Sequence, residues 1–160
     1  MQTENLICDP SLRLAPGQYY YDDVKPGNWY ETPTITLQGE QIDAFAKMSG
    51  DFFVIHMDDS AAQELGFPRR IAHGLLVLAL ADGLKNQSET TFHAVASLGW
   101  NWTFLQPVFV ADRLSVKIGL VEKLAPGKPQ RGILRLALEV TNQAGSIVQS
   151  GTNKLMVLRR

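Results

Sequence analysis

The stretch "IAHGLLVLALADGLKN", Ile71 to Asn86, decides the fold. Ile71, Leu75, Leu76, Val77, Leu78, Leu80 and Leu84 leave almost no polar face before Asp82. A helix that is apolar nearly all round belongs inside a domain. Its greasiest run, "GLLVLALA" from Gly74 to Ala81, is too short to span a bilayer. Gly74 weakens the helix near its start. A glycine there fits close approach of another backbone or of a ligand, and close helix–sheet packing serves equally well.

Downstream the period changes from helical to two. Leu114, Val116, Ile118 and Leu120 alternate with Ser115, Lys117 and Gly119. Leu134, Leu136, Leu138 and Val140 alternate with Arg135, Ala137 and Glu139. Both segments read as strands with one buried face. "APGKPQ", residues 125–130, reads as a hairpin connection between them. "AVASLGWNWTFLQPVFV" precedes them as a strand ended by Pro107, and "IVQSGTNKLMVL" closes the series.

Upstream the signals are helical. In "GEQIDAFAKMSGD", Ile42, Phe45, Ala46 and Ser49 share one face and Gly50 is a stop signal. "DDSAAQELG" reads as a second short helix, capped by Asp58 or Asp59 and ended before Gly66. Ile35 and Leu37, alternating with Thr34 and Thr36, form a short strand. The expected class is α+β, an antiparallel sheet packed on one apolar helix. Residues 1–18 read as an arm and 19–160 as one domain.

Composition agrees. The chain has 160 residues, is 45% hydrophobic and carries a net charge of −1. That length holds one hydrophobic core. The charge argues against a general nucleic-acid or anionic-membrane binder, whose main affinity comes from a positive surface. A single cysteine, Cys8, excludes an internal disulfide framework and suits a reducing compartment. With no signal-peptide pattern at the start, a cytoplasmic protein is expected.

Chemistry concentrates in "SGDFFVIHMDD", Ser49 to Asp59. Asp51 and His56 flank four apolar residues, Phe52, Phe53, Val54 and Ile55. Singly, Asp51 reads as a turn aspartate and His56 as a hydrogen-bonded structural histidine. Together on one short apolar loop they form an acid–base candidate, tuned by desolvation and proximity, with room for a shared water. The helix start at His73-Gly74 adds free amides and a positive dipole end, which would stabilise a carbonyl oxygen gaining charge. A metal site from His56, Asp58, Asp59 and His73 lacks a zinc-type spacing, and no metal is expected. His93 reads as structural or exposed, and Trp100 and Trp102 as core or interface residues. No nucleotide-binding glycine motif and no G-x-S-x-G is present.

"SGDFFVIHMDDSAA", "RRIAHGLLVLALADGL" and "LGWNWTFLQPVFVADRLSVKI" together resemble the MaoC-like, (R)-specific enoyl-CoA hydratase family over residues 19–158. The resemblance implies a hot-dog fold, a long central helix wrapped by an antiparallel sheet. It implies reversible hydration of a trans-2-enoyl-CoA, or dehydration of an (R)-3-hydroxyacyl-CoA, with no cofactor beyond the thioester substrate. Asp51 would activate water for attack at C3 and His56 would handle the proton at C2. Gly74, with His73, would hold the thioester oxygen. Phe52, Phe53, Val54, Ala72 and Asp82 would line the substrate pocket. A homodimer or a dimer of dimers is implied as well.

The chain departs from the family's Gly-Asp-x-Asn-Pro-x-His pattern, because Phe53-Val54 stands in place of Asn-Pro. A branch with "GDTFYAHMD" shares the phenylalanine and the His-Met-Asp, which points to an unusual or branched acyl group. Asp82 stands where many relatives carry a serine. Arg69, Arg70 and Lys85 flank the helix and are candidates for phosphate contacts, against the plainer reading of solvated charge. A hot-dog thioesterase and a non-catalytic acyl-thioester binder are the alternative functions.

Overall fold

The computed structural model describes residues 6, 8–124 and 129–160. In chain order they form β1 (Gly17–Tyr19), β2 (Trp29–Glu31), β3 (Ile35–Thr36), α1 (Gly39–Ser49), α2 (Val54–Met57), α3 (Asp59–Glu64) and α4 (Gly74–Gln87). Then come β4 (Thr90–Phe92), β5 (Ala94–Phe104), β6 (Arg113–Leu124), β7 (Arg131–Thr141) and β8 (Ile147–Leu158). The main sheet runs β2-β6-β7-β8-β5, with β3 also on β6. Every pairing in it is antiparallel.

The period-two segments set its register. Val116 lies opposite Val140, Ile118 opposite Leu138 and Leu120 opposite Leu136. All six side chains are buried. A slip of one residue would turn the whole set outward, so the hydrophobic pattern fixes the pairing. Of the connection at 125–130, residues 125–128 lie outside the described residues.

Helix α4 lies on the inner face through Val77, Ala81 and Leu84. It is not buried all round, contrary to its composition: Leu75 is 60% exposed, while Lys85 is only 4% exposed. The sheet of one chain covers one flank of the helix, and an apolar side chain on the other flank stays in solvent. Composition reports how apolar a helix is, not which flank is covered.

Local signals place the site. Gly50 ends α1 in the left-handed conformation at φ 77°, which a glycine adopts without a Cβ clash. Asp58 caps α3, its carboxylate accepting from the Ala61 N–H at 2.8 Å. The described part of the N-terminal arm docks on the body. The Trp29 indole donates to Asp9 O at 2.7 Å and Leu6 N–H donates to Glu139 Oε1 at 3.0 Å. β1 pairs in parallel with β4, a short contact the sequence did not announce. Among the described residues, no helix is long and apolar enough to cross a membrane.

Candidate active site

Asp51 follows directly on the Gly50 cap, and His56 sits on the single turn of α2. The Asp51 N–H donates to Ser49 Oγ at 3.2 Å, and Asp51 Oδ1 accepts from the Phe53 N–H at 3.2 Å. Asp51 is thus a turn aspartate, as its single-residue reading held. It also stands beside His56 and His73: one ligand-type atom from each of the three lies within 4.8 Å of the others. Among the described residues no hydrogen bond joins the Asp51 carboxylate to either ring. A separation of that order leaves room for a bridging water.

Both imidazoles are oriented by backbone carbonyls. His56 Nδ1 is 2.9 Å from Ile71 O, and His73 Nε2 is 3.0 Å from Asp51 O. A carbonyl only accepts, so each of these nitrogens carries the proton. In the neutral rings that leaves lone pairs on His56 Nε2 and His73 Nδ1. The His56 ring is half-buried. Desolvation, opposed in part by the Ile71 hydrogen bond, holds its pKa below the ordinary histidine value. Its Nε2 is therefore an unprotonated base at neutral pH.

The two rings stack with centroids 3.9 Å apart and planes 30° apart. Asp58 and Asp59 are engaged elsewhere: Asp58 caps α3, and Asp59 Oδ1 accepts from the Arg70 N–H at 2.8 Å.

His73 is the N-cap of α4, and its side chain makes no capping bond. The first amides of α4, beginning with Gly74, are left without a side-chain partner, beside the histidine pair. A Cβ on Gly74 would meet the Phe104 ring at 2.7–2.8 Å. Glycine here therefore reflects close packing as well as an open amide.

Other expected site residues are dispersed. Ala72 is buried, with its N–H bonded to Val108 O. Phe53 meets His56 edge-on at 6.2 Å, yet Phe52, Phe53 and Val54 are largely exposed. Asp82 is not at the Asp51–His56 pair; eight residues beyond Gly74, it lies about 12 Å along the helix. Its partner is Lys85, at 2.7 Å. That pairing and its burial withdraw Lys85 from phosphate contacts. Arg70 is also engaged, by Asp43 at 2.6 Å and by Gly39 O. Arg69 is exposed beside Phe109. His93 stacks on Tyr20 at 3.7 Å, a structural role.

One positioning residue escaped the sequence reading. Gln149, 2% exposed, donates from Nε2 to Gly74 O at 3.0 Å and accepts at Oε1 from the Trp102 indole at 2.8 Å. It ties the start of α4 to β8 and β5. The available signal was an amide in the middle of an otherwise patterned strand.

An antiparallel sheet packed on one long helix, with Asp51 and His56 beside that helix's open N-terminus, is the architecture of an α+β hot-dog domain. The family model described as "MaoC like domain" matches residues 23–141, and the chain belongs to this family. It is 32% identical over 111 residues to an (R)-specific enoyl-CoA hydratase of Aeromonas caviae, covering 69% of this chain and 79% of that protein. It is 35% identical over 107 residues to protein MaoC of Klebsiella aerogenes, covering 66% of this chain but only 32% of that protein. The chain thus spans about a third of that relative. A Mycobacterium tuberculosis protein described as having a double hotdog fold superposes with a TM-score of 0.77 at 22% identity, over 92% of this chain and 46% of that one. The fold is α+β of the hot-dog type. The family includes hydratases and dehydratases.

Proposed function

We propose that the protein is a hydro-lyase that reversibly adds water to a trans-2-enoyl-CoA, giving an (R)-3-hydroxyacyl-CoA, without a cofactor. The observation that carries this reading is the Asp51 carboxylate and the His56 ring, held within 4.8 Å without a direct bond, beside the uncapped start of α4.

One water sits between Asp51 and His56 Nε2. Its oxygen bonds to C3 as Asp51 draws off one of its protons. The C2–C3 π electrons move onto the thioester oxygen, which the Gly74 N–H and the helix dipole stabilise. A proton then passes from the pair, through His56, to C2, and both groups end as they began. His73 keeps the arrangement in place, because its Nε2–H holds the Asp51 carbonyl and its ring backs His56.

A homodimer fits the same reading. β5 is an outer strand of the main sheet, and Val95, Leu98 and Phe104 on it are exposed apolar residues. An open edge of that kind is a template for pairing with another chain. A second copy there would cover Val95, Leu98 and Phe104.

Purified protein should hydrate crotonyl-CoA or a bulkier enoyl-CoA. Asp51→Asn and His56→Ala should each cost about 10²–10⁴-fold. The reading fails if no member of a wide enoyl-CoA panel is turned over in a way these substitutions abolish. Thiol release from saturated acyl-CoA would indicate a thioesterase instead.

A further inference from the structure

The start of α4 is held from the sheet at one peptide. Gln149 Nε2 donates to Gly74 O at 3.0 Å, and that carbonyl shares a planar peptide unit with the Leu75 N–H. The direction of the Gln149 amide is fixed by its other end. The Trp102 indole only donates, so the Gln149 oxygen faces it, at 2.8 Å, and Nε2 is left for the Gly74 carbonyl. Gln149 is 2% exposed and lies between Val140 on β7 and Phe104 on β5. An amide there is costly to bury unless its bonds are made. An aliphatic residue would fill the space without them.

The bond falls on a carbonyl that does not lack a partner. Inside a helix the i−4 ladder already brings one N–H to each carbonyl. Gly74 O takes Gln149 on its second lone pair. Holding the carbonyl twice fixes the plane of the peptide, and with it the aim of the Leu75 N–H. Donation to the oxygen also polarises the peptide, which strengthens that N–H as a donor by about 10–30%.

The Leu75 N–H is free to use the gain. The first helical bond of α4 runs from the Val77 N–H to His73 O at 3.2 Å, and the His73 side chain makes no cap. Among the described residues, neither the Gly74 nor the Leu75 N–H donates to an acceptor. Amides of a first turn point the same way, out of the helix end. An oxygen held by the first is therefore within reach of the second. The Leu75 side chain is 60% exposed, so this flank of the helix start is open.

We infer that Gln149, oriented by Trp102, is a positioning residue for the thioester oxygen: it aims and strengthens the Leu75 N–H as a second donor beside that of Gly74. The identity of that oxygen rests on the hydratase reading. The polarisation of a bound carbonyl, however, is measurable without turnover.

The experiment records infrared difference spectra of butyryl-CoA, isotopically labelled at the thioester carbonyl, bound to the full chain. Hydration of crotonyl-CoA is measured alongside. Binding to the unaltered protein should lower the carbonyl stretching frequency. Gln149→Met, which keeps an unbranched side chain of similar volume, should lose part of that shift. So should Gln149→Met combined with Trp102→Phe, which removes both partners together and leaves no indole unpaired. Each variant should lower kcat about tenfold, less than the loss of about 10²–10³ for a donor in direct contact. KM should stay within about twofold, because the bond matters most in the transition state. A merely structural role would lower the melting temperature and leave the carbonyl frequency where it was. An unshifted carbonyl in the unaltered protein overturns the inference, as does a shift that both variants keep in full. A shift lost in the variants of a protein that hydrates no enoyl-CoA would sink the proposed reaction and leave the positioning role standing. Hydration by a protein whose variants keep the shift would do the reverse.

Discussion

Adding one methyl group at two different glycines should separate stability from activity. A Cβ on Gly151, in β8, would collide with the backbone carbonyl of Asn101 and approach Trp102 Cα at 2.9 Å. Both belong to β5, which pairs with β8 through Trp102↔Gly151. Backbone in a paired strand cannot retreat without breaking the ladder. The cost should reach the upper end of the overpacking range, about 3 kcal/mol. For a chain of this size that is a fall in Tm of about 6–12 °C. At Gly74 the nearest atoms the added carbon meets belong to the Phe104 ring, a side chain that can turn aside where paired backbone cannot. Gly74→Ala should therefore cost less than about 1 kcal/mol. It nevertheless puts a methyl group beside the amide assigned to the thioester oxygen, and kcat/KM should fall about 10²-fold through misplacement of the substrate. Thermal unfolding followed by circular dichroism and steady-state hydration of an enoyl-CoA test the two halves. A Gly151→Ala protein melting within 2 °C of the unaltered chain, or a Gly74→Ala protein as destabilised as Gly151→Ala, would refute the reasoning.

Other perturbations have equally definite outcomes. Because the His56 pKa is lowered on folding, its contribution to stability is full above about pH 6.5 and is lost as pH falls through the lowered folded value; denaturant titrations in which His56→Gln leaves this acid-side slope unchanged would contradict it. The acid limb of hydration should likewise lie below about pH 6.5, and an acid limb centred above that value would show that His56 is not the group titrating. Asp58→Ala should cost about 1 kcal/mol by removing the α3 cap, read from the denaturation midpoint. Val95→Asp with Leu98→Asp should convert a dimer to monomers in sedimentation velocity, and an unchanged dimer would remove β5 as the contact.

The parts of the molecule written locally were legible in the sequence. β6 and β7 declare themselves because each core residue is two from the next. α1 and α3 declare their ends through Gly50, Asp58 and Gly66, whose effects reach only a few residues. What went unread depends on distant partners. Leu75 and Lys85 differ in burial through the side of α4 that the sheet covers, which no helical period encodes. Gln149 reaches Gly74 across 75 positions, and β1 finds β4 through three residues with no distinctive pattern. At the site, the proximity of Asp51 and His56 followed from their spacing. The bond from His73 to the Asp51 carbonyl, which makes the two segments one unit, did not.

Two hydrogen bonds close the base of the segment 57–70: Ile71 N–H to Ile55 O at 3.1 Å, and His56 Nδ1–H to Ile71 O at 2.9 Å. Everything between them is an excursion, with α3 on its way out and the exposed turn at Gly66 at its tip. Doubling the length of such a loop costs only about 0.6 kcal/mol in closure entropy. Over evolutionary time, insertions at that tip can accumulate while the imidazole pair keeps its register. The surface around the pair is free to diversify on a chemical floor that stays fixed.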